Sequence, residues 1–563
     1  MKNIFYSVII LFLCMGCVSS DYADLLLLNG NIYTMDNRNT VIQAVGVRNG
    51  IISFVGQNDQ ALKLKGENTT IVDLEGKLMT PGLIEGHGHF MGMGYNLLNL
   101  DLTKAVNYSE VVNMVQQQVH SLKPGEWVIG RGWHQSKWNP SPSEMYKGFP
   151  AHRLLSNISP DNPVYLRHAS GHAILVNQKA MEIAGINADT FFNETGEIIK
   201  DNLGNPTGVF TEGAMGLFSR YLPENDMVSD IMAYEMAVKN CLKEGITSFQ
   251  DAGADGRTLD LYKSMITEGI AKIRLYVMLD GSDQQLLDQY FATGPQIDSI
   301  HHLLTIRSIK LYLDGALGSR GAWLLKPYSD RPGHFGNMVS SLEYIREVAA
   351  QAVSNGFQVC THAIGDRANR ETLDIYESIF MDHPEGYHGR FRIEHAQHIN
   401  QNDIPRFAQL GVLPAMQAIH LSSDRPWAID RLGEERIVEG AYVWQKLLRS
   451  GAKIINGTDV PVEPLSPIEC FYASVTRKTL RGSPPGGYEP DQKMSREQAL
   501  RSYTLDAAYG AFEEGIKGSI EPGKLADFTV FSDNIMTIPE EQILKTSVTM
   551  TVINGKIVFQ SQP

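Results

Sequence analysis

Cysteine is scarce: five residues among 563, of which Cys14 and Cys17 stand near the start and Cys241, Cys360 and Cys470 are far apart. Once the start is set aside, an odd number of widely spaced thiols excludes a disulfide framework, so these three are expected to be buried and stability to come from packing. Positive charge is also short, with 49 Lys and Arg against 63 Asp and Glu and a formal net charge of -14. That balance argues against nucleic acid or an anionic membrane surface as a partner, because both select a basic face. No repeat of solenoid period and no low-complexity tract is present. What remains is ordinary for a globular protein, 43% hydrophobic and 20% charged, in a chain long enough for a large core and more than one domain.

The first residues have the form of an export signal, with Lys2 ahead of an apolar stretch from Ile4 to Leu13 that only Tyr6 and Ser7 interrupt. This stretch is too short to span a bilayer comfortably. It ends in Leu13-Cys14-Met15-Gly16-Cys17, which resembles a bacterial lipoprotein box in which cleavage after the Gly frees a Cys for lipid. Cys14 stands where that box usually has Leu, and an ordinary cleaved signal is the alternative. The expectation is an exported protein, periplasmic or anchored at a membrane only through lipid on Cys17, with 1–20 as the signal segment. A homo-oligomer is compatible with the sequence.

Between 21 and 80 the sequence predicts short strands at Leu25-Leu28, Val41-Arg48 and Ile51-Val55, separated by Asn29-Gly30 and Asn49-Gly50. Asn-Gly between apolar runs signals a hairpin, since both residues tolerate the positive φ of a type I′ turn. The same texture returns over 515–563, around Asn554-Gly555. The two ends are expected to form one small β-sandwich domain, with two separate β caps as the alternative. Over 81–514, eight short apolar strands alternate with helical stretches, which predicts a (β/α)₈ barrel of the TIM type. The strands are expected at Leu83-His89, Ile246-Asp251, Lys272-Leu279, Arg307-Asp314, Phe357-His362, Phe391-His395, Val412-Gln417 and Lys453-Asp459. Among the helices, one over Tyr344-Ser354 carries a capping box from Ser340 and Glu343, and another runs from Glu434 to Arg449. A long interruption, about 92–228, reads as a subdomain inserted after the first strand, over the barrel mouth.

Active sites of such barrels sit at the C-terminal ends of the strands. Strand one ends with His87 and His89, two positions apart and therefore on one face of a strand, where both imidazoles can reach one metal ion. Strand four contains Lys310, strand five ends with His362, strand six with His395 and strand eight with Asp459. Singly, each has an ordinary alternative, such as a structural histidine or a turn-forming Asp before Val460-Pro461. Jointly they point to a metal site.

The segments around these residues are Thr80-Pro81-Gly82-Leu83-Ile84, Gly130-Arg131-Gly132-Trp133, Lys310 to Ala322, Thr361-His362-Ala363-Ile364-Gly365-Asp366, Ile393-Glu394-His395-Ala396, Gly457-Thr458-Asp459-Val460-Pro461 and Gly518 to Asp527. In them the chain resembles the amidohydrolase superfamily, and within it the amidohydrolase-3 branch that includes proteins similar to N-substituted formamide deformylases. The resemblance implies one or two divalent metal ions, usually zinc, with His87 and His89 on one ion and His362 and His395 on the other. Lys310 would bridge the two as a carbamate formed with carbon dioxide, because an unmodified ammonium between two dications would be strongly repelled; a one-metal site would not require it. Asp459 would bind the first ion, take the proton of the attacking water and return it to the leaving nitrogen.

Two departures from the family pattern stand out: Glu85-Gly86 where Asp-Ser commonly precedes the first His, and Gln417-Ala418-Ile419-His420 where Pro often follows the Gln. Trp133, His134, His172, Asp314, Arg320, Gln417, His420 and Arg477 are candidates for the pocket wall and substrate contact, with packing or surface pairing as the alternative for each. The function expected is metal-dependent hydrolysis of carbon–nitrogen bonds other than peptide bonds in small-molecule amides, N-formyl or N-acyl compounds among them. A deaminase or cyclic-amide hydrolase on the same barrel is one rival, since fold does not decide substrate. A metal-binding lipoprotein without turnover is the other.

Overall fold

Eight parallel strands follow one another around a single sheet in chain order: Leu83–Gly88, Ile246–Ala254, Arg274–Asp280, Leu304–Tyr312, Gln358–Ala363, Arg392–His395, Leu413–Met416 and Ile455–Asn456. This computed structural model describes residues 22–562 apart from 136–137, 170, 172, 193–195, 224–225 and 299–300. The expected signal segment, Cys17 and His172 lie outside the described residues. The first and eighth strands meet past the regular end of the eighth, where Asp459 N donates to His87 O at 2.8 Å and His89 N to Val460 O at 2.7 Å. The sheet thus closes into an α/β barrel of the TIM type, wrapped by helices that share one large apolar core with it. Glycine makes that closure possible. A Cβ on Gly86 would stand 2.4 Å from Asn456 O, and one on Gly457 would stand 2.6 Å from His87 N.

The two ends of the chain pair with each other. Phe528–Phe531 lies between Val548–Ile553 and Leu78–Pro81 in a six-stranded sheet, and Leu78–Pro81 leads through Gly82 into the first barrel strand. A four-stranded sheet from the N-terminal part faces it across one apolar cluster, with Leu25, Leu27 and Val45 on one side and Ile32, Met79, Phe528 and Val530 on the other. A buried bidentate pair ties these ends to the barrel, Arg274 to Asp527 at 2.6 and 2.9 Å. The long interruption contains a six-stranded sheet of its own and separate apolar clusters. Cys241, Cys360 and Cys470 are free and buried, and no helix among the described residues is long and apolar enough to cross a membrane.

Several local expectations need correction. Asn49-Gly50 and Asn554-Gly555 form hairpins with both residues at positive φ (53° and 76°; 51° and 70°). Asn29-Gly30 does not: only Asn29 is left-handed, and Asn31–Tyr33 crosses to the other sheet. The cap of the helix Leu342–Ser354 is Ser341, not Ser340, with its side chain accepting from Tyr344 N at 3.2 Å. The helix expected from Glu434 to Arg449 is two, Glu434–Gly440 and Trp444–Ser450, broken at Tyr442 (φ 54°), where Arg477 Nη1 donates to the freed carbonyl at 2.7 Å. A further helix, Ala418–Leu432, lies between the seventh strand and Glu434. The last strand is regular only over Ile455–Asn456, and Asp459 sits beyond it at φ 59°.

Candidate metal centre

The barrel register gathers the candidates at one end. Tyr312 pairs with His362 and Ala363 with His395, while Lys310 pairs with Cys360 and so lies one inward row deeper than His362. His89 Nε2 is 3.2 Å from Asp459 Oδ1, His87 Nε2 is 3.6 Å from it, and ligand atoms of these three residues all fall within 4.8 Å of one another. Donors bound to one ion at about 2 Å are separated by roughly 3–3.5 Å in tetrahedral geometry, which this spacing resembles. Lys310 Nζ is 3.2 Å from His87 Nε2. The ring of His395 lies 4.9 Å from that of His87 and 4.5 Å from that of His362, centroid to centroid.

Hydrogen bonds behind the rings settle which nitrogens face the centre. His87 Nδ1 meets the carboxylate of Glu394, His89 Nδ1 meets Ala252 O at 2.9 Å, and His395 Nδ1 meets Gln417 Oε1 at 2.7 Å. Each partner can only accept, so Nδ1 carries the proton and Nε2 presents a lone pair. The amide of Gln417 is oriented by its own donation to Ala415 O at 3.1 Å. Lone pairs of His87 and His89 therefore converge on Asp459 Oδ1, a buried oxygen that has no hydrogen-bond partner among the described residues. Such an arrangement is repulsive without a cation, and a divalent ion suits its donor set of imidazole nitrogens and carboxylate.

Charge in the surroundings follows the same logic. Burial, then the Lys310 cation, pushes His87 down to about 4 and His362 to about 3. Burial and His362 lower His395 well below the ordinary histidine value, so all three rings are neutral at pH 7. Burial works to raise Asp459, but His89 at 3.2 Å and then the neighbouring His395 and His87 outweigh it and hold the carboxyl well below the usual carboxylate range. Burial also lowers Lys310, whose Nζ has no carboxylate within ion-pair distance among the described residues. Glu394 is fully buried, which alone would raise it; Arg392 and His87 more than compensate and hold it at about 2. Arg392 grips Glu394 from Nε and Nη2 at 2.6 and 2.9 Å and also bonds Gln250 and Gly86 O. The carboxyl of Glu85, raised to about 8 by burial, faces strand eight, where it accepts from Thr458 N at 2.5 Å. The ring of His87 is thus held by Glu394 across the barrel.

The pocket-wall candidates divide. Gln417 reaches the centre, but as the partner of His395, and His420 lies behind that ring at 6.2 Å. Asp314 is not a wall residue: it is buried and accepts from the backbone N–H groups of Trp323, Ile364 and Gly365 at 2.8–2.9 Å, with Oδ1 3.6 Å from His362 Nε2. Trp133 is a core residue of the inserted sheet, fully buried with Nε1 donating to Leu166 O at 2.9 Å. Arg320 pairs with Asp330 at 3.1 and 2.7 Å. Arg477 is buried on carbonyls and Glu489, and His134 packs on the ring of His168 at 4.7 Å. Sequence reasoning missed Glu394 and Arg392, although Glu394 directly precedes His395. Strict strand alternation would send the two to opposite faces, yet both touch His87, because His395 and Ala396 adopt positive φ (73° and 42°). The carbonyl of Ala252 carried no signal at all.

Residues 70–559 match the model of the amidohydrolase family. The protein LONG AFTER FAR-RED 3 of Arabidopsis thaliana is 32% identical over 95% of this chain and 92% of its own length. An N-substituted formamide deformylase of Arthrobacter pascens is 26% identical over 95% of this chain and 98% of its own. Among solved structures, an uncharacterized metal-dependent hydrolase from Pyrococcus horikoshii superposes with a TM-score of 0.75 at 27% identity, covering 92% of this chain and 99% of that one. With the barrel and its convergent donor atoms, a match of this length makes the chain a member of the amidohydrolase family.

Proposed function

We propose that the chain hydrolyses carbon–nitrogen bonds of non-peptide amides, N-formyl or N-acyl compounds among them, at a divalent metal centre, with zinc the expected ion. The observation that carries this reading is the buried Oδ1 of Asp459, without a hydrogen-bond partner among the described residues, facing the Nε2 atoms of His87 and His89. These three would hold one ion; His362 and His395 would hold a second. When bound, the metal supplies an acidified water and polarises the amide carbonyl. Asp459 accepts the proton of the attacking water and passes it to the leaving nitrogen, which departs as a neutral amine. Glu394 and Gln417 keep the Nδ1 protons on His87 and His395 and so keep both rings turned toward the centre.

Lys310 fits a carbamate, since a buried amine without an acid partner is a poor resting place for a cation. Its neutral amine adding to carbon dioxide, with loss of one proton, gives an anion able to bridge two ions. The division into a barrel over 81–514 and a β-sandwich domain from 21–80 and 515–563, and export with a lipid on Cys17, complete the reading.

The test is a panel of N-substituted amides, cyclic amides and amino-substituted heterocycles, assayed for carboxylate, free amine and ammonia. The expected products from N-substituted amides are carboxylate and amine without ammonia, abolished by a chelator and restored by zinc. Ammonia from the heterocycles alone would assign a deaminase, ring opening alone a cyclic-amide hydrolase, and no product from any compound a metal-binding protein without turnover.

A further inference from the structure

The inserted sheet meets the barrel at Arg131. In the parallel ladder between Val128–Trp133 and Val164–His168, Arg131 pairs with Arg167, so the two guanidinium side chains leave the same face of the sheet side by side. Arg131 Nη1 donates to Pro461 O at 3.2 Å, which ties it to the rim of the centre two residues beyond Asp459. Among the described residues Arg167 makes only long contacts of 3.4 Å, from Nε and Nη2 to Gly171 O. Among the described residues no carboxylate stands within ion-pair distance of either. Asp101, the register partner on the other side of Arg131, is turned to the N–H and hydroxyl of Thr103 at 2.9 and 2.7 Å. Burial first, then the charge of Arg167, works against the Arg131 cation, and the acid whose charge offsets this is Asp459 itself.

Two like charges in register repel, and a half-buried guanidinium without an acid is costly. Planar forks side by side are suited to a carboxylate, which can take two N–H donors at once. We propose that Arg131 and Arg167 receive a carboxylate of the substrate, so that the amides preferred at this centre are acidic ones, with the carboxylate on either the amine half or the acyl half. This rests on the amide-hydrolase reading above and adds the substrate class to it. The inserted sheet is then what selects the substrate, while the barrel carries the bond cleavage.

Matched pairs test it on the metal-loaded full chain. N-formylphenylalanine and N-formylphenethylamine differ only by a carboxylate on the amine half; N-succinyl- and N-butyrylphenethylamine place the difference on the acyl half. The acidic member of at least one pair is expected to have the higher kcat/KM, on the order of tenfold to a hundredfold, the worth of a charge-assisted contact. Arg131→Gln and the more exposed Arg167→Gln should each bring the ratio of acidic to neutral kcat/KM down to within a few-fold of one, chiefly through the KM of the acidic member. Equal rates in both pairs, or a preference that survives both substitutions, overturns the proposal. If no compound is cleaved, the catalytic reading has failed. Calorimetric titration of the same pairs then decides the anion site separately: tighter binding of an acid, lost in the arginine variants, supports it, and equal binding of acid and neutral member overturns it.

Discussion

Asp459→Asn lowers kcat/KM on N-substituted amides by on the order of 10⁴-fold, the upper range for loss of a positioned proton acceptor. The substitution keeps the volume and removes the charge and the proton site. The backbone tolerates it, because Asp459 sits at φ 59° and Asn is among the few residues that adopt this region readily. Its N–H, which donates to His87 O at 2.8 Å and helps close the barrel, is unchanged. The expected variant is therefore folded and inactive, checked by a melting curve beside steady-state kinetics. A folded variant that retains full activity on every substrate found would remove Asp459 from the chemistry.

Glu394→Gln is expected to weaken metal binding by about 10–100-fold, the typical effect of removing a hydrogen-bond partner behind a ligating histidine. It is also expected to destabilise the fold by roughly 3–5 kcal/mol, because the buried Arg392 loses its acid. Arg392 and Glu394 are both fully buried, and the remaining bonds of Arg392, to Gln250 and Gly86 O, carry no charge. A glutamine can also turn its NH₂ group toward His87 Nδ1 and favour the wrong tautomer. Competition with a chromophoric chelator measures the affinity and urea unfolding the stability. Unchanged affinity would mean that His87 does not depend on this pair for its orientation.

Much of the fold was legible in the sequence because its signals are local. Apolar strands ending at glycine or a polar turn, separated by amphipathic helices, mark out the eight barrel units, and Asn49-Gly50 and Asn554-Gly555 call for two left-handed residues in a row. The misreadings come from contacts distant in sequence. Asn29-Gly30 has the hairpin residues, but the strand after it is recruited by Leu78–Pro81 in the other sheet. The break at Tyr442 depends on Arg477, thirty-five residues on, reaching its carbonyl.

The candidate site divides in the same way. His87, His89, Lys310, His362, His395 and Asp459 are visible as reactive residue types at strand ends, and the structure brings them to one end of the barrel. Their supports are less visible: Glu394 faces inward only through an unusual backbone at His395, and Ala252 contributes a carbonyl that any residue would have. Trp133 is a candidate for the pocket wall in the sequence but is buried in the inserted sheet, while Arg131, two residues earlier, reaches the rim of the centre.

The most direct measurement is the ratio of divalent metal to protein in the full chain after gel filtration, taken before and after a chelator and alongside amide hydrolysis. The account predicts one or two ions retained per chain, and activity that disappears and returns with them. A chain that holds no metal, binds no added zinc and still hydrolyses amides would contradict it.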